Sequence, residues 1–307
     1  MTQYDAALLY GCGYDGPVHV NTNPCTIVDP QASGGVASYI VVNNVLQRDI
    51  NPSSLLIDPG CVLKTSNWLI QCPGAVTNQG TLDCSGPDAS GSTAGVWGDL
   101  GSMLAGALTA GMHPNGVNGA TGSPGSAGPT YGYGGVGGKD PAASAVTRTL
   151  SGAGPSDPIY FLDRLTYQVT VGLNTYTIAG WYAGGGGGRG AGDGTNKGGA
   201  GGAAGGAMAI FAHILDNSAG TITIKGGKGG TPIAGNTGGG HGGGGGFGLF
   251  VVSNLCGVVT FDTYFPWTLG AIDLSGGQGG SGHGTGNAGN SGAPGDYFVA
   301  RLSPALF

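Results

Sequence analysis

Apolar and β-branched residues in this chain come in short runs, and what separates the runs changes along the sequence. Between residues 37 and 86, turn formers such as Asp58-Pro-Gly60, Pro73-Gly74 and Asn78-Gln-Gly80 divide five runs: Tyr39 to Leu46, Ser54 to Ile57, Cys61 to Lys64, Trp68 to Cys72 and Gly80 to Cys84. Alternation at a period of two, bounded by Gly, Pro and Asn, predicts strands. Their short, even spacing predicts a coiled, solenoid-like sheet, with a β-sandwich as the alternative. Two shorter candidates, Val18-His-Val20 and Thr26-Ile-Val28, precede them. After residue 183 the separators are long glycine blocks. Gly184 to Gly206 runs into Ala207 to His213, Gly226 to Gly248 into Leu249 to Val252, and Gly276 to Gly295 into Tyr297 to Leu302.

The glycine spacing is itself a structural signal. Gly116, Gly119, Gly122, Gly125 and Gly128 stand three apart, as do Gly286, Gly289, Gly292 and Gly295. A three-residue period predicts a three-residue turn of polyproline-II type, with one edge of bare glycine against which another backbone packs. The run is short and poor in proline, which favours a packed layer of polyglycine-II-type helices from one chain over a collagen triple helix. A repeat links the two halves: GTLDCSG at 80–86, GTITIKGG at 220–227 and GAIDLSGG at 270–277 are each a short alternating strand running straight into glycine. One such unit cannot bury its own face, so neighbours must stack. The predicted fold class is all-β, with short β-solenoid or parallel β-helix-like strands and packed polyglycine-II-type glycine helices.

Composition sharpens this picture. Glycine fills 70 of 307 positions, and charged residues are 8%, against about 25% in an ordinary domain. All 16 acidic residues are Asp. With no Glu and so much Gly, Asp, Asn and Thr, long helices are not expected. Four segments follow: a docking or cap segment at 1–36, strands and a first glycine block at 37–155, an aromatic insertion at 156–182, and alternating glycine blocks and apolar strands at 183–307. In the insertion, Thr166 to Val171 and Thr175 to Ile178 are expected to pair as a hairpin around Gly172-Leu-Asn174. The net charge is −6 with no basic stripe, which gives no electrostatic footprint for nucleic acid. No apolar run approaches the roughly 18 residues of a membrane span. Met1 to Asp5 lacks the basic and apolar regions of a signal peptide, so assembly in a cytoplasm is expected.

Chemical motifs are sparse. The six cysteines form no C-x-x-C pair. Cys61, Cys72 and Cys84 recur as one inward position on successive strands would, and buried free thiols are expected, with a disulfide among them as the alternative. The sequence around Lys139 and Lys228 does not complete a phosphate-binding loop. Gly187 to Asp193 is a near miss to a calcium-binding repeat. His241 and His283 both sit in late glycine blocks, where they form either a metal or pH-sensitive contact or merely local bonds. Asp83 and Asp273 are equivalent in the repeat, which argues for capping the turn into glycine rather than for a glycosidase carboxylate pair. No G-x-S-x-G elbow is present. No enzymatic activity, cofactor or metal is therefore expected. Lys225 and Lys228 share one side of a three-per-turn helix, facing an anionic glycan or simply keeping an edge soluble. The best binding candidates are aromatic: Tyr131, Tyr133, Tyr160, Tyr167, Tyr176, Trp181 and Tyr182. Flat rings on a rigid scaffold lose little rotamer entropy on binding; the bland reading is that they cover the ends of the core.

The stretch SSLLIDPGCVLKTSNWLIQCPGAVTNQGTLDCSG resembles a module of tailed-phage virion proteins, in which a short β-solenoid ends in an N-x-G-T-I-D-x-S-G strand and then a glycine-rich run. Asn78 and Gly80 to Gly86 fit that pattern, with Cys84 where a polar residue is more usual. The later blocks also resemble those of distal tail-fibre adhesins of T-even-type phages, whose packed glycine helices carry loops that touch the bacterial surface. The resemblance implies a virion structural protein, assembled in the host cytoplasm, in a tail fibre or appendage with an adhesin role. The alternative is a purely structural head-fibre, decoration or connector protein. The implied partners are other virion proteins and a host surface glycan or outer-membrane protein, with homo-oligomerisation open and neither nucleic acid nor membrane insertion expected.

Overall fold

The computed structural model describes residues 10–31, 38–98, 101, 115–121, 169–171, 174–176, 185–256 and 270–301. These residues are rich in strand with almost no helix. In chain order the strands are β1 (Pro17–Val20), β2 (Ile27–Val28), β3 (Tyr39–Val42), β4 (Val45–Leu46), β5 (Ser54–Ile57), β6 (Val62–Lys64), β7 (Leu69–Asn78), β8 (Thr81–Asp83), β9 (Val169–Val171), β10 (Asn174–Tyr176), β11 (Ala207–Asp216), β12 (Thr221–Thr223), β13 (Phe247–Cys256), β14 (Ala271–Asp273) and β15 (Asp296–Arg301).

A six-stranded sheet, ordered β1-β5-β7-β11-β13-β15, is parallel throughout. A seven-stranded sheet, ordered β14-β12-β8-β6-β4-β3-β2, is parallel from β14 to β4 and antiparallel beyond. From β5 onward the chain alternates between them, a strand in the first sheet being followed by a short strand in the second. The sequence repeat is the short-strand half of this unit. Thr81, Thr221 and Ala271 pair in register, as do Leu82, Ile222 and Ile272, and Asp83, Thr223 and Asp273. Strands β9 and β10 pair separately, antiparallel, with Val171 opposite Asn174, at the centre of the expected hairpin.

Alternate residues of both sheets meet in one core: Leu55, Ile70, Met208, Ile210 and Phe250 from the first, Ile40, Leu63, Leu82 and Ile222 from the second. The opposite face of the first sheet is buried too, at Leu69, Ala209, Phe211 and Leu249. Burial on both faces explains why these strands read as unbroken apolar runs such as AMAIFA rather than as alternation. At the corner after β7, buried Asn78 donates from Nδ2 to Asn217 Oδ1 at 2.6 Å and to the Thr221 carbonyl at 3.0 Å. Stacked asparagines thus bind one corner to the next. Arg48 clamps the cap segment, bonding the buried Asp15 through both terminal nitrogens at 3.2 and 2.7 Å, and Asp29 at 2.8 Å.

Three local expectations change. Pro73-Gly74 is not a turn between strands; it lies inside β7, where the pairing with β11 slips between Ala212 and Ile214. A bulge accommodates a residue that cannot donate to the ladder. Tyr39 to Leu46 is not one strand, because Asn43 and Asn44, at φ 49° and 69°, fold it into a two-residue hairpin turn. Cys61, Cys72 and Cys84 are all buried free thiols, as are the side chains of Cys25, while Cys12 is exposed. They do not occupy one repeated position, since Cys72 belongs to the first sheet and the other two flank short strands of the second. Burial raises the Cys72 thiol and pushes Cys84 up to about 12, so both behave as apolar filler.

Beyond the sheets the glycine segments lie side by side. Each out-and-back excursion bonds to itself in steps of three: Gly187 to Gly202 and Gly190 to Gly199, Gly240 to Gly230 and Gly243 to Gly227, Gly289 to Gly280 and Gly292 to Gly277. Neighbouring excursions bond in the same step, with the amides of Gly199, Gly202 and Gly205 donating to the carbonyls of Gly238, His241 and Gly244. At the glycines of these contacts there is no room for a side chain. A Cβ on Gly240 would stand 1.8 Å from the Ala200 oxygen, and one on Gly243 1.9 Å from the Ala203 oxygen. Gly116 and Gly119 join the same packing, with Gly122, Gly125 and Gly128 outside the described residues.

Candidate functional site

Each excursion must reverse at its far end, and there the glycine period gives way to other residues. The reversals are Asp193 to Asn196, Thr231 to Asn236 and Ser281 to Thr285, each with one left-handed glycine: Gly194 at φ 93°, Gly235 at 74° and Gly284 at 60°. A turn of this hand favours glycine because no Cβ obstructs it. The three reversals are cross-linked into one edge. Asp193 accepts the amides of Thr195 and Asn196 at 3.0 and 2.7 Å, and its other oxygen accepts Asn236 N–H at 3.0 Å in the next excursion. Asn236 in turn accepts the Thr285 amide at 3.2 Å, and His283 Nδ1 meets the Gly235 carbonyl at 2.7 Å. Because a carbonyl only accepts, Nδ1 of His283 carries the proton. The Asn196 amide and side chain, then the amides of Thr195 and Asn236, hold the Asp193 carboxyl well below the usual carboxylate range.

The exposed side chains of this edge are mostly small and polar, with one exception. Ile233 is 88% exposed, the most exposed large apolar residue described. It follows Pro232, which is buried, so the tip that carries it is anchored. The edge therefore presents a fixed polar rim around a single protruding apolar side chain.

The two histidines of the glycine blocks each bond backbone of the neighbouring excursion. His241 is further in than His283, and its Nδ1 accepts the Asn290 amide at 2.8 Å. Burial lowers its pKa, which keeps the ring neutral and the nitrogen free to accept. Asp83 and Asp273 cap the turns into glycine, accepting the Ser85 and Ser275 amides at 2.9 and 3.0 Å. Burial raises the Asp273 carboxyl, but the Ser275 hydroxyl and amide and the Lys225 ammonium at 3.7 Å outweigh it and hold it below its usual value.

Of the aromatic binding candidates, the backbone of Tyr176 lies in β10, and Tyr131, Tyr133, Tyr160, Tyr167, Trp181 and Tyr182 fall outside the described residues. Lys225 and Lys228 lie on one side, as their spacing predicted, at the foot of the second excursion. Ile233, Asn236 and Asp193 escaped sequence reasoning. The available signal was the interruption of the first two glycine blocks by Asp193-Gly194 and Gly235-Asn236, which are turn dipeptides; the third reversal, Ser281 to Thr285, carries neither. Among the described residues no helix is long and apolar enough to cross a membrane. No family model, curated protein or solved structure matches this chain.

Proposed function

We propose that the chain is a structural protein of a tailed-phage virion, a component of a tail fibre or similar appendage that touches the host surface through the tips of its glycine excursions. In this reading the alternating sheets are a short β-solenoid, and the glycine layers are polyglycine-II helices stacked on its end. The cap at 10–31, which contributes β1 and β2, faces other virion proteins. One observation carries the reading: three glycine excursions are bonded to each other along their length and again at their tips, so the exposed edge is formed before any partner arrives. A preorganised surface avoids the ordering cost of binding. The carboxylates of Asp83, Asp193 and Asp273 each cap backbone amides, which fits a rigid part that bears load.

The test is adsorption. Purified chain should bind cells of the bacterium on which the phage grows and block its adsorption, and Ile233→Asp should abolish both without moving the melting temperature. A folded protein that does neither excludes the adhesin role and leaves the structural alternative of a head-fibre, decoration or connector protein.

A further inference from the structure

A groove of about 960 Å³ crosses the outer face of the seven-stranded sheet, on the side faced by β6, β8 and β12 and by the first residues of the glycine segments. Its polar groups form rows that step from one strand to the next. Lys64, Asp83 and Thr223 are register partners. One step outward come Ser85, Lys225 and Ser275, held side by side by bonds from Gly86 N to Lys225 O and from Gly226 N to Ser275 O at 2.7 and 3.0 Å. A third row is Asp88, Lys228 and Gln278, joined through Ala89 N to Lys228 O and Gly229 N to Gln278 O, both 2.8 Å. Trp97 forms part of the wall, fixed by its indole N–H to the Ala204 carbonyl at 3.1 Å.

The geometry points to a second binding site here, for an extended polyhydroxylated chain, a polysaccharide lying across the strands. Hydroxyl groups both donate and accept, and the rows offer ammonium donors, carboxylate acceptors and hydroxyls in alternation. The rows advance by one strand spacing, about 4.8 Å, close to the length that one sugar ring adds to a chain. A repeating ligand would therefore meet a repeating surface. Three of the chain's five lysines converge on this groove, and Lys64 and Lys228 have no carboxylate partner among the described residues. Asp83 and Asp88 each use one oxygen on a backbone amide, at 2.9 and 2.6 Å, and the second carries no hydrogen bond among the described residues. Those carboxylates would repel the closely spaced phosphates of a nucleic acid, whose binding rests on neutralising them. A fixed indole beside these groups supplies a flat apolar face, and the volume lies within the usual 300–1,000 Å³ of ligand sites.

The groove lies on a different face from the tips, while the choice of a bacterial polysaccharide as its occupant rests on the adhesin reading. The experiment is a printed array of bacterial capsular and O-chain polysaccharide fragments, probed with the full chain. Binding to at least one fragment, rising from disaccharide to longer pieces, is expected. Lys64→Glu and Lys228→Glu should each weaken it about tenfold, the loss of one charge-assisted hydrogen bond. Trp97→Ala should weaken it further, and the two lysine variants keep the test valid if that variant does not fold. Ile233→Asp should leave array binding unchanged. No bound fragment at all, or binding indifferent to both lysine variants, overturns the proposal. Failure here with adsorption still blocked would leave the tip reading intact, and the reverse outcome would leave the groove without the tips.

Discussion

The β core and the glycine layers fill space by opposite means. In the core, side chains such as Phe250 and Leu63 interlock between two sheets, and burial of their apolar surface is the main stabilising term. In the layers there is almost no side chain to bury. Backbone meets backbone, and what holds the packing is a dense set of amide-to-carbonyl bonds repeated every third residue. The difference teaches that the two regions tolerate opposite errors. A core suffers when atoms are removed, and a glycine lattice suffers when a single carbon is added.

The sharpest way to break this comparison is to add that carbon. Gly243→Val places its Cβ where the Ala203 carbonyl oxygen already lies, with backbone on both sides, and should cost more than about 4 kcal/mol or abolish folding. Gly98→Ala, where nothing lies within 4 Å, should shift stability by less than about 0.5 kcal/mol. Urea unfolding followed by circular dichroism reads both, and a normal midpoint for Gly243→Val would refute the lattice. Next comes removal. Phe250→Ala should cost about 3–5 kcal/mol by leaving a cavity in the core, whereas Ala203→Gly in the layer should cost only about 0.5–1 kcal/mol through backbone entropy. Equal losses from the two would mean that the regions are held alike after all.

The smallest expected effect is a pH dependence confined to the layers. Burial depresses the His241 pKa below 6.5 on folding, and the neutral ring accepts the Asn290 amide. The unfolded chain then binds the proton more readily than the native one, so this contribution is complete above pH 6.5 and fades as pH falls towards the folded value. The melting temperature should decline across that window in the wild type and stay level in His241→Gln, whose side-chain oxygen can still accept the amide. Asp193, also depressed, loses its contribution only at far lower pH, so the two do not overlap.

Much of the architecture was legible in the residues. The repeat at 80, 220 and 270 foretold the stacking of β8, β12 and β14 because similar short strands, each preceded by glycine, pair in parallel at equivalent positions. Gly80, Gly220 and Gly270 precede those strands because each approaches a backbone carbonyl of the preceding turn, at 2.3, 2.4 and 2.2 Å from a would-be Cβ. Gly286 to Gly295 announced its lattice through spacing alone. What stayed hidden depended on partners distant in sequence. Pro73-Gly74 has the local chemistry of a turn, and only pairing with β11 turns it into a bulge. The zipping of Asp193 to Asn236 and of Asn236 to Thr285 joins residues more than forty apart, which no local pattern encodes. The groove rows are likewise products of register, since Lys64 and Asp83 become neighbours only once β6 and β8 are side by side.

The three-residue step of the excursions also sets a rule for how such a molecule can change length. An insertion of one or two residues in an arm would rotate every later glycine out of its contact and bring a Cβ against a carbonyl. An insertion of three in the outgoing arm, matched by three in the returning arm, restores every bond and carries the tip about 9 Å further out. Length in this region is therefore quantised in paired triplets, while the reversals themselves are free to vary in sequence. A lineage under pressure to alter its reach and its contact residues could do each without disturbing the other.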